Sequence, residues 1–145
     1  MTIEKLKFAK ISDEAIIPTR KNPQDAGLDL YSTEQKTFQA LDYGIIRTGI
    51  FVNIPEGYVG LVLPKSRNNF LLGGGVVDAG YQGEILVKIF NVTSERLEIS
   101  IGQAVAQMLI IPIEIPEAAE VSIGDLYQEE SKRGRNGGIA EQKGL

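Results

Sequence analysis

The chain has 145 residues, 43% of them hydrophobic, and a formal net charge of −4, enough for one globular domain with a core of its own. Cysteine and histidine are both absent, which excludes disulfides, Cys/His zinc sites, Ser-His-Asp triads and Cys-His dyads and leaves carboxylates, Lys, Arg, Tyr and metal-bound oxygens for any chemistry. No Lys/Arg run exceeds two residues, so no basic stripe awaits a nucleic-acid backbone, and no apolar stretch approaches the about 18 residues of a membrane helix; the expectation is a cytoplasmic protein with no nucleic-acid and no membrane partner.

The elements, taken in chain order, are of β type. Residues 44–55, GIIRTGIFVNIP, are rich in Ile and Val and close on Pro55. The turn signal Pro55-Glu56-Gly57 follows, then YVGLVLP from Tyr58, and the two runs together predict a hairpin. In EILVKIFNV, residues 84–92, Ile85, Val87 and Ile89 share one face and Leu86, Lys88 and Phe90 the other, which predicts a strand buried on most of both surfaces. RLEIS, residues 96–100, alternates in the same way, and AVAQMLIIPIEI, residues 104–115, continues as a long β segment interrupted by Pro112. Sixteen glycines and six prolines are spread along the chain, many of them between these runs, and helical spacing with caps is hard to find. The fold expected is all-β, a sandwich or jelly-roll-like barrel, over residues 1–127. Residues 128–145 are polar and glycine-rich, and read as a flexible C-terminal arm.

Within this pattern residues 73–84, GGGVVDAGYQGE, stand out. Gly73, Gly74 and Gly75 give a backbone to which a nucleobase edge can come close without Cβ atoms intervening. Asp78 can take a proton from water, and Tyr81 can lay its ring against a sugar. Read locally, the same residues also make a flexible hairpin tip followed by an ordinary Asp-x-Gly turn. Similar alternatives hold elsewhere: Asp29 as a solvent-facing residue at a strand end, Gln107 as an inward polar residue satisfied by backbone groups, Lys65-Ser66-Arg67 as a solvated turn, and Arg133 as part of a charged tail.

The stretch resembles the third motif of the dUTP pyrophosphatase (dUTPase) family, and four other segments follow that family's order over essentially the whole chain. Asp25-Ala26-Gly27-Leu28-Asp29-Leu30-Tyr31-Ser32 is similar to the first motif, Pro64-Lys65-Ser66 to the start of the second, and Gly102-Gln103-Ala104-Val105-Ala106-Gln107-Met108 to the fourth. Arg133-Gly134 with Gly137 resembles the fifth. The second and fifth motifs are degraded: Arg67-Asn68-Asn69-Phe70 replaces a Gly and a short apolar helical segment, and Gly138 followed by Ile139-Ala140-Glu141-Gln142 replaces an aromatic and a Gly-Ser-Thr run.

The resemblance implies a homotrimer of jelly-roll-like β-clip barrels in which three chains build each site, and hydrolysis of dUTP to dUMP and pyrophosphate with Mg²⁺. It implies Asp78 as the general base that directs water at the α-phosphorus, and Tyr81 as the ring under the deoxyribose. The hairpin Gly73–Val76 would pair its main chain with uracil. Asp29 would hold Mg²⁺ through water. Lys65, which stands where an Arg is usual, would with Ser66, Gln107 and Arg133 contact phosphates and water, and Arg67 would add a cation or block the site. Two alternatives accompany this expectation: a non-catalytic dUTPase-like nucleotide-binding or regulatory protein, and a relative of dCTP deaminase, against which Lys88 speaks because that enzyme carries a catalytic glutamate there. The chemistry itself is compatible with a chain lacking histidine, since phosphoanhydride hydrolysis asks for charge stabilisation on phosphate and one oriented water.

Overall fold

The computed structural model describes residues 2–127, and the chain divides into two compact units, one spanning Met1–Glu114 and one beginning at Ile115. The first contains eleven strands among the described residues. Four of them form the largest sheet: β2 (Leu28–Tyr31), β11 (Ala104–Pro112), β6 (Tyr58–Leu63) and β8 (Gly75–Val77) lie side by side in that order, each antiparallel to its neighbour. A second sheet has the order β4 (Tyr43–Arg47), β9 (Leu86–Phe90), β7 (Leu71–Leu72). Two two-stranded ribbons, β1 (Lys7–Lys10) with β5 (Ile50–Asn53) and β10 (Leu97–Ile99) with β3 (Lys36–Phe38), complete the unit. The all-β, jelly-roll-like expectation is met.

Strand alternation explains which residues reach the centre. β6 turns Tyr58, Gly60 and Val62 inward and its other residues outward. Leu30, Phe38, Ile46, Ile50, Val87, Ile89, Ile99, Val105 and Met108 have almost no exposed surface and form one continuous core. In β11 two successive residues, Val105 and Ala106, are both buried. Strict alternation forbids that, and a register shift between Ala104 and Ala106 opposite β2 permits it. Buried Asn91 ties two loops together: its Nδ2 donates to the carbonyls of Phe38, Gln39 and Glu95, and its Oδ1 accepts from the Thr93 amide and hydroxyl.

Four local expectations are corrected. The run 44–55 is two strands, broken at buried Thr48 and at Gly49, whose φ of 66° suits a residue without a Cβ. The Pro55–Tyr58 turn exists, with the Tyr58 amide donating to the Pro55 carbonyl at 3.2 Å and Gly57 at φ 85°, yet it joins no hairpin: β5 pairs with β1, and β6 with β11 and β8. Strand β9 alternates instead of burying both faces, with Val87 and Ile89 inside and Leu86, Lys88 and Phe90 exposed on the single chain. The segment from Ala104 stops at Pro112, because proline has no amide to continue the ladder. The unit beginning at Ile115 has one short helix among its described residues, α1 (Ile123–Leu126), capped by Ser122, whose hydroxyl accepts from the Asp125 amide.

Candidate active site

One group of candidate residues gathers where β2, β11 and β6 meet. Asp29 of β2 and Leu63 of β6 are both register partners of Gln107 on the central strand β11. The Asp29 amide donates to the Thr19 carbonyl at 2.7 Å, which pins its backbone from the other side. Its carboxylate is mostly covered and receives the Lys65 ammonium at 2.5 Å on Oδ1. The Gln107 side chain crosses to Pro64, donating Nε2 to that carbonyl at 3.0 Å. Gly27 makes the crossing feasible: a Cβ there would stand 2.9 Å from the Gln107 side-chain carbons. Asp29 is thus a paired, partly buried residue and not a strand-end acid facing solvent.

The turn after β6 carries Ser66 and Arg67, both exposed. It is closed by the Asn68 amide on the Lys65 carbonyl at 3.1 Å, and the Asn68 side chain donates to the Ala104 and Val105 carbonyls at 3.3 and 3.4 Å. Phe70 then buries itself in the core. The unusual sequence of the second motif is therefore anchored at both ends, with Arg67 outward between the anchors.

A second group lies along β8. Asp78 is exposed immediately beyond the strand, and its carbonyl accepts from the Tyr81 amide at 3.1 Å. With Gly80 at φ 89°, residues 78–81 form a tight turn that needs a glycine in third place. Tyr81 is 46% exposed; its hydroxyl donates to the Glu84 carbonyl at 2.8 Å, and its ring lies against Gly83. The glycines before β8 differ from expectation. Residues Gly73 to Val76 form no hairpin, because β7 pairs with β9 while β8 pairs with β6. They are the corner where the chain passes from one sheet to the other. Gly73, whose amide donates to the Lys88 carbonyl at 2.8 Å, passes so near that a Cβ would meet Lys88 Cβ at 3.0 Å. Gly74 sits at φ 66°. Both glycines are exposed, as is Val76.

The two groups do not meet within one chain. Asp78, one residue past the Val77–Gly60 pair, is level with Val59, four residues along β6 from Leu63, the level of Asp29. Strands rise about 3.3 Å per residue and lie about 4.8 Å apart, so the two backbones are separated by roughly 20 Å across the sheet. A hollow of about 380 Å³ is lined among others by Arg20, Leu28, Tyr58 and Pro112, and one of about 290 Å³ by Gly73 with Tyr43, Leu71, Leu72, Lys88 and Phe90. Arg133, with the arm 128–145, lies outside the described residues.

Sequence reading missed Glu84, the anchor of the Asp78–Tyr81 turn. Its carboxylate accepts from the buried Gly49 amide at 2.9 Å and from Arg47 at 2.9 and 3.1 Å. Hydrogen bonding to Glu84, and after it the charge of Glu84, raises the Arg47 guanidinium above its ordinary value. The partners are more than thirty residues away in sequence, so no local signal marked them. As for a metal, the described residues hold no cluster of three or more acidic groups. Mg²⁺ takes most of its ligands from substrate oxygens and water, with one or two carboxylates; Asp29 fits it as a single outer ligand, not as part of a cage.

Residues 13–138 match the dUTPase family model. The chain is 37% identical over 146 residues to the deoxyuridine 5′-triphosphate nucleotidohydrolase of Yarrowia lipolytica, covering 95% of this chain and 92% of that protein. The dUTPase of Staphylococcus bacteriophage 80alpha, solved with dUPNHPP, superposes with a TM-score of 0.83 at 27% identity, over 93% of this chain and 96% of the other. A mutant dUTPase from phage phi11 of S. aureus, solved to show the coordination of a structural Mg(II) ion, gives a TM-score of 0.79 at 26% identity, over 87% and 100%. With a family model spanning most of the sequence and the motif residues on the strands just described, the chain belongs to the dUTPase family.

Proposed function

We propose that this protein hydrolyses dUTP to dUMP and pyrophosphate at sites completed between copies of the chain. The observation that carries the reading is the exposed Asp78 carboxylate at the end of β8, one tight turn from the exposed Tyr81 ring. A nucleotide seated there meets the glycine corner with its base and Tyr81 with its sugar. Asp78 accepts a proton from water as the oxygen bonds to the α-phosphorus, the bond to the bridging oxygen breaks, and pyrophosphate leaves with the electron pair. The packing of Tyr81 against Gly83 holds the ring rigid, which supports exclusion of a 2′-hydroxyl.

The phosphate end belongs to the Asp29 group, with Gln107, Ser66, Lys65 and Arg67 at the same corner and Arg133 supplied by the arm. Since that group stands roughly 20 Å from Asp78 in one chain, it serves the Asp78 of a neighbouring copy. The exposed apolar face of the second sheet, with Leu71, Leu86 and Phe90, supports association, and a homotrimer gives three equivalent sites by closed symmetry. Mg²⁺, held by Asp29 through water, would neutralise charge on the phosphate oxygens. Gln107, locked to Pro64, fixes the backbone register on which Asp29 depends.

A pyrophosphate-release assay with dUTP, dCTP and UTP, each with and without Mg²⁺, tests the reading. Turnover of dUTP that needs Mg²⁺ and far exceeds the other two is the expected result. Tight dUTP binding without pyrophosphate would select a binding protein, and ammonia release from dCTP a deaminase.

A further inference from the structure

We propose that Lys65 is an ion-pair gate on Asp29, which keeps divalent metal out of the nucleotide-free protein and yields the carboxylate only when a phosphate takes over the ammonium. This rests on the reading of that corner as the phosphate end of the site.

The two partners are unequally held. Asp29 lies inside β2, paired on one side to β11 and fixed on the other by its amide on the Thr19 carbonyl, so its backbone cannot retreat. Its side chain is 15% exposed. Lys65 stands on the turn after β6, with a four-carbon stem and a compact, rotatable charge, and its side chain is 26% exposed. A planar guanidinium grips a carboxylate by two donors at once; an ammonium grips it by one point and lets go more readily. While the pair holds, the site presents no net negative charge at Asp29. A divalent ion approaching the carboxylate also meets Lys65. At about 6 Å their repulsion lowers affinity at least about tenfold even with water's dielectric constant. A triphosphate reverses the balance: it offers Lys65 several anionic oxygens and brings its own metal, so ammonium and metal exchange places in one event.

The test is a titration of Mn²⁺ alone at low ionic strength, followed by the resonance of the free ion, on the full chain. The wild type and Lys65→Arg are expected to bind Mn²⁺ weakly. Lys65→Met and Lys65→Gln are expected to bind it at least about tenfold more tightly, and adding Asp29→Asn to either should abolish the gain. Two variants of different polarity guard against loss of fold in one, with circular dichroism on both. Equal Mn²⁺ affinity in wild type and variants, or a gain that survives Asp29→Asn, would overturn the gate. A non-hydrolysable deoxyuridine triphosphate analogue separates the two readings. Failure of the analogue to bind any variant removes the proposed function, while the metal-only comparison still decides the role of Lys65.

Discussion

Asp29 and Asp78 stand on the two edge strands of one sheet, β2 and just beyond β8, with β11 and β6 between them. Hydrogen-bonded strands are stiff at this scale, so no side-chain motion can bring the two carboxylates onto one phosphorus. On the proposed reading, each copy would therefore contribute two half-sites to sites shared with its neighbours.

Mixing two inactive variants should consequently restore activity. If Asp29→Asn and Asp78→Asn chains are unfolded together at equal amounts and refolded, a site that takes Asp29 from one copy and Asp78 from the next is intact in about one quarter of cases. Pyrophosphate release near a quarter of wild type is expected, and mixing without refolding should give almost none. Persistent inactivity of the refolded mixture would place both acids in one chain's site.

Asp78→Asn alone removes the proton acceptor and nothing from the core, because the side chain is exposed. The expected loss in kcat is about 10²- to 10⁴-fold, with little change in KM or thermal midpoint. Steady-state kinetics beside a melting curve provide the check, and near-normal turnover would remove Asp78 from the role.

Leu86→Glu and Phe90→Glu address the second sheet's outer face, where these residues are 48% and 38% exposed on the single chain. A charge there leaves the inward residues Val87 and Ile89 untouched, so the fold should persist while association fails. Light scattering after size exclusion is expected to show a monomer with greatly reduced activity. An intact oligomer with full activity would move the interface elsewhere.

Glu84→Ala leaves the buried Gly49 amide without its acceptor, at a cost of about 1–3 kcal/mol in urea unfolding. It also frees the loop that positions Tyr81, so discrimination between dUTP and UTP should fall together with stability. The Arg47 arm of this contact has a defined pH sense. A guanidinium raised by its partner contributes fully below its unfolded value and loses that contribution only as pH rises through the folded one. Because Arg47 starts from the most alkaline range of any side chain, it should add no slope to stability across neutral pH, which unfolding midpoints at several pH values would show.

Local chemistry made some of this visible before any coordinates. The β-type runs at 58–63, 86–90 and 97–99 follow from alternation, and the turns at Pro55–Tyr58 and Asp78–Tyr81 from a glycine where φ is positive. The candidate residues were identifiable because their motifs are contiguous. Which strand pairs with which was not. The two expected hairpins, at Pro55–Tyr58 and at the glycine corner, turned out to be passages between sheets. A turn determines only that the chain reverses; the partner is chosen by whichever distant strand buries the shared face.

What the sequence by itself determined is a small set of chemistries, since a chain without histidine or cysteine is left with carboxylates, cations and bound water, together with the strand periods that build an all-β core. Tertiary structure alone decided that Lys65 neutralises Asp29, that Glu84 anchors the Tyr81 loop through Gly49 and Arg47, and that the two acids lie on opposite sheet edges. Those contacts join residues more than thirty positions apart: the register of β2, β11, β6 and β8 sets the distances among Asp29, Lys65 and Asp78, and that of β4 with β9 brings Arg47 to Glu84.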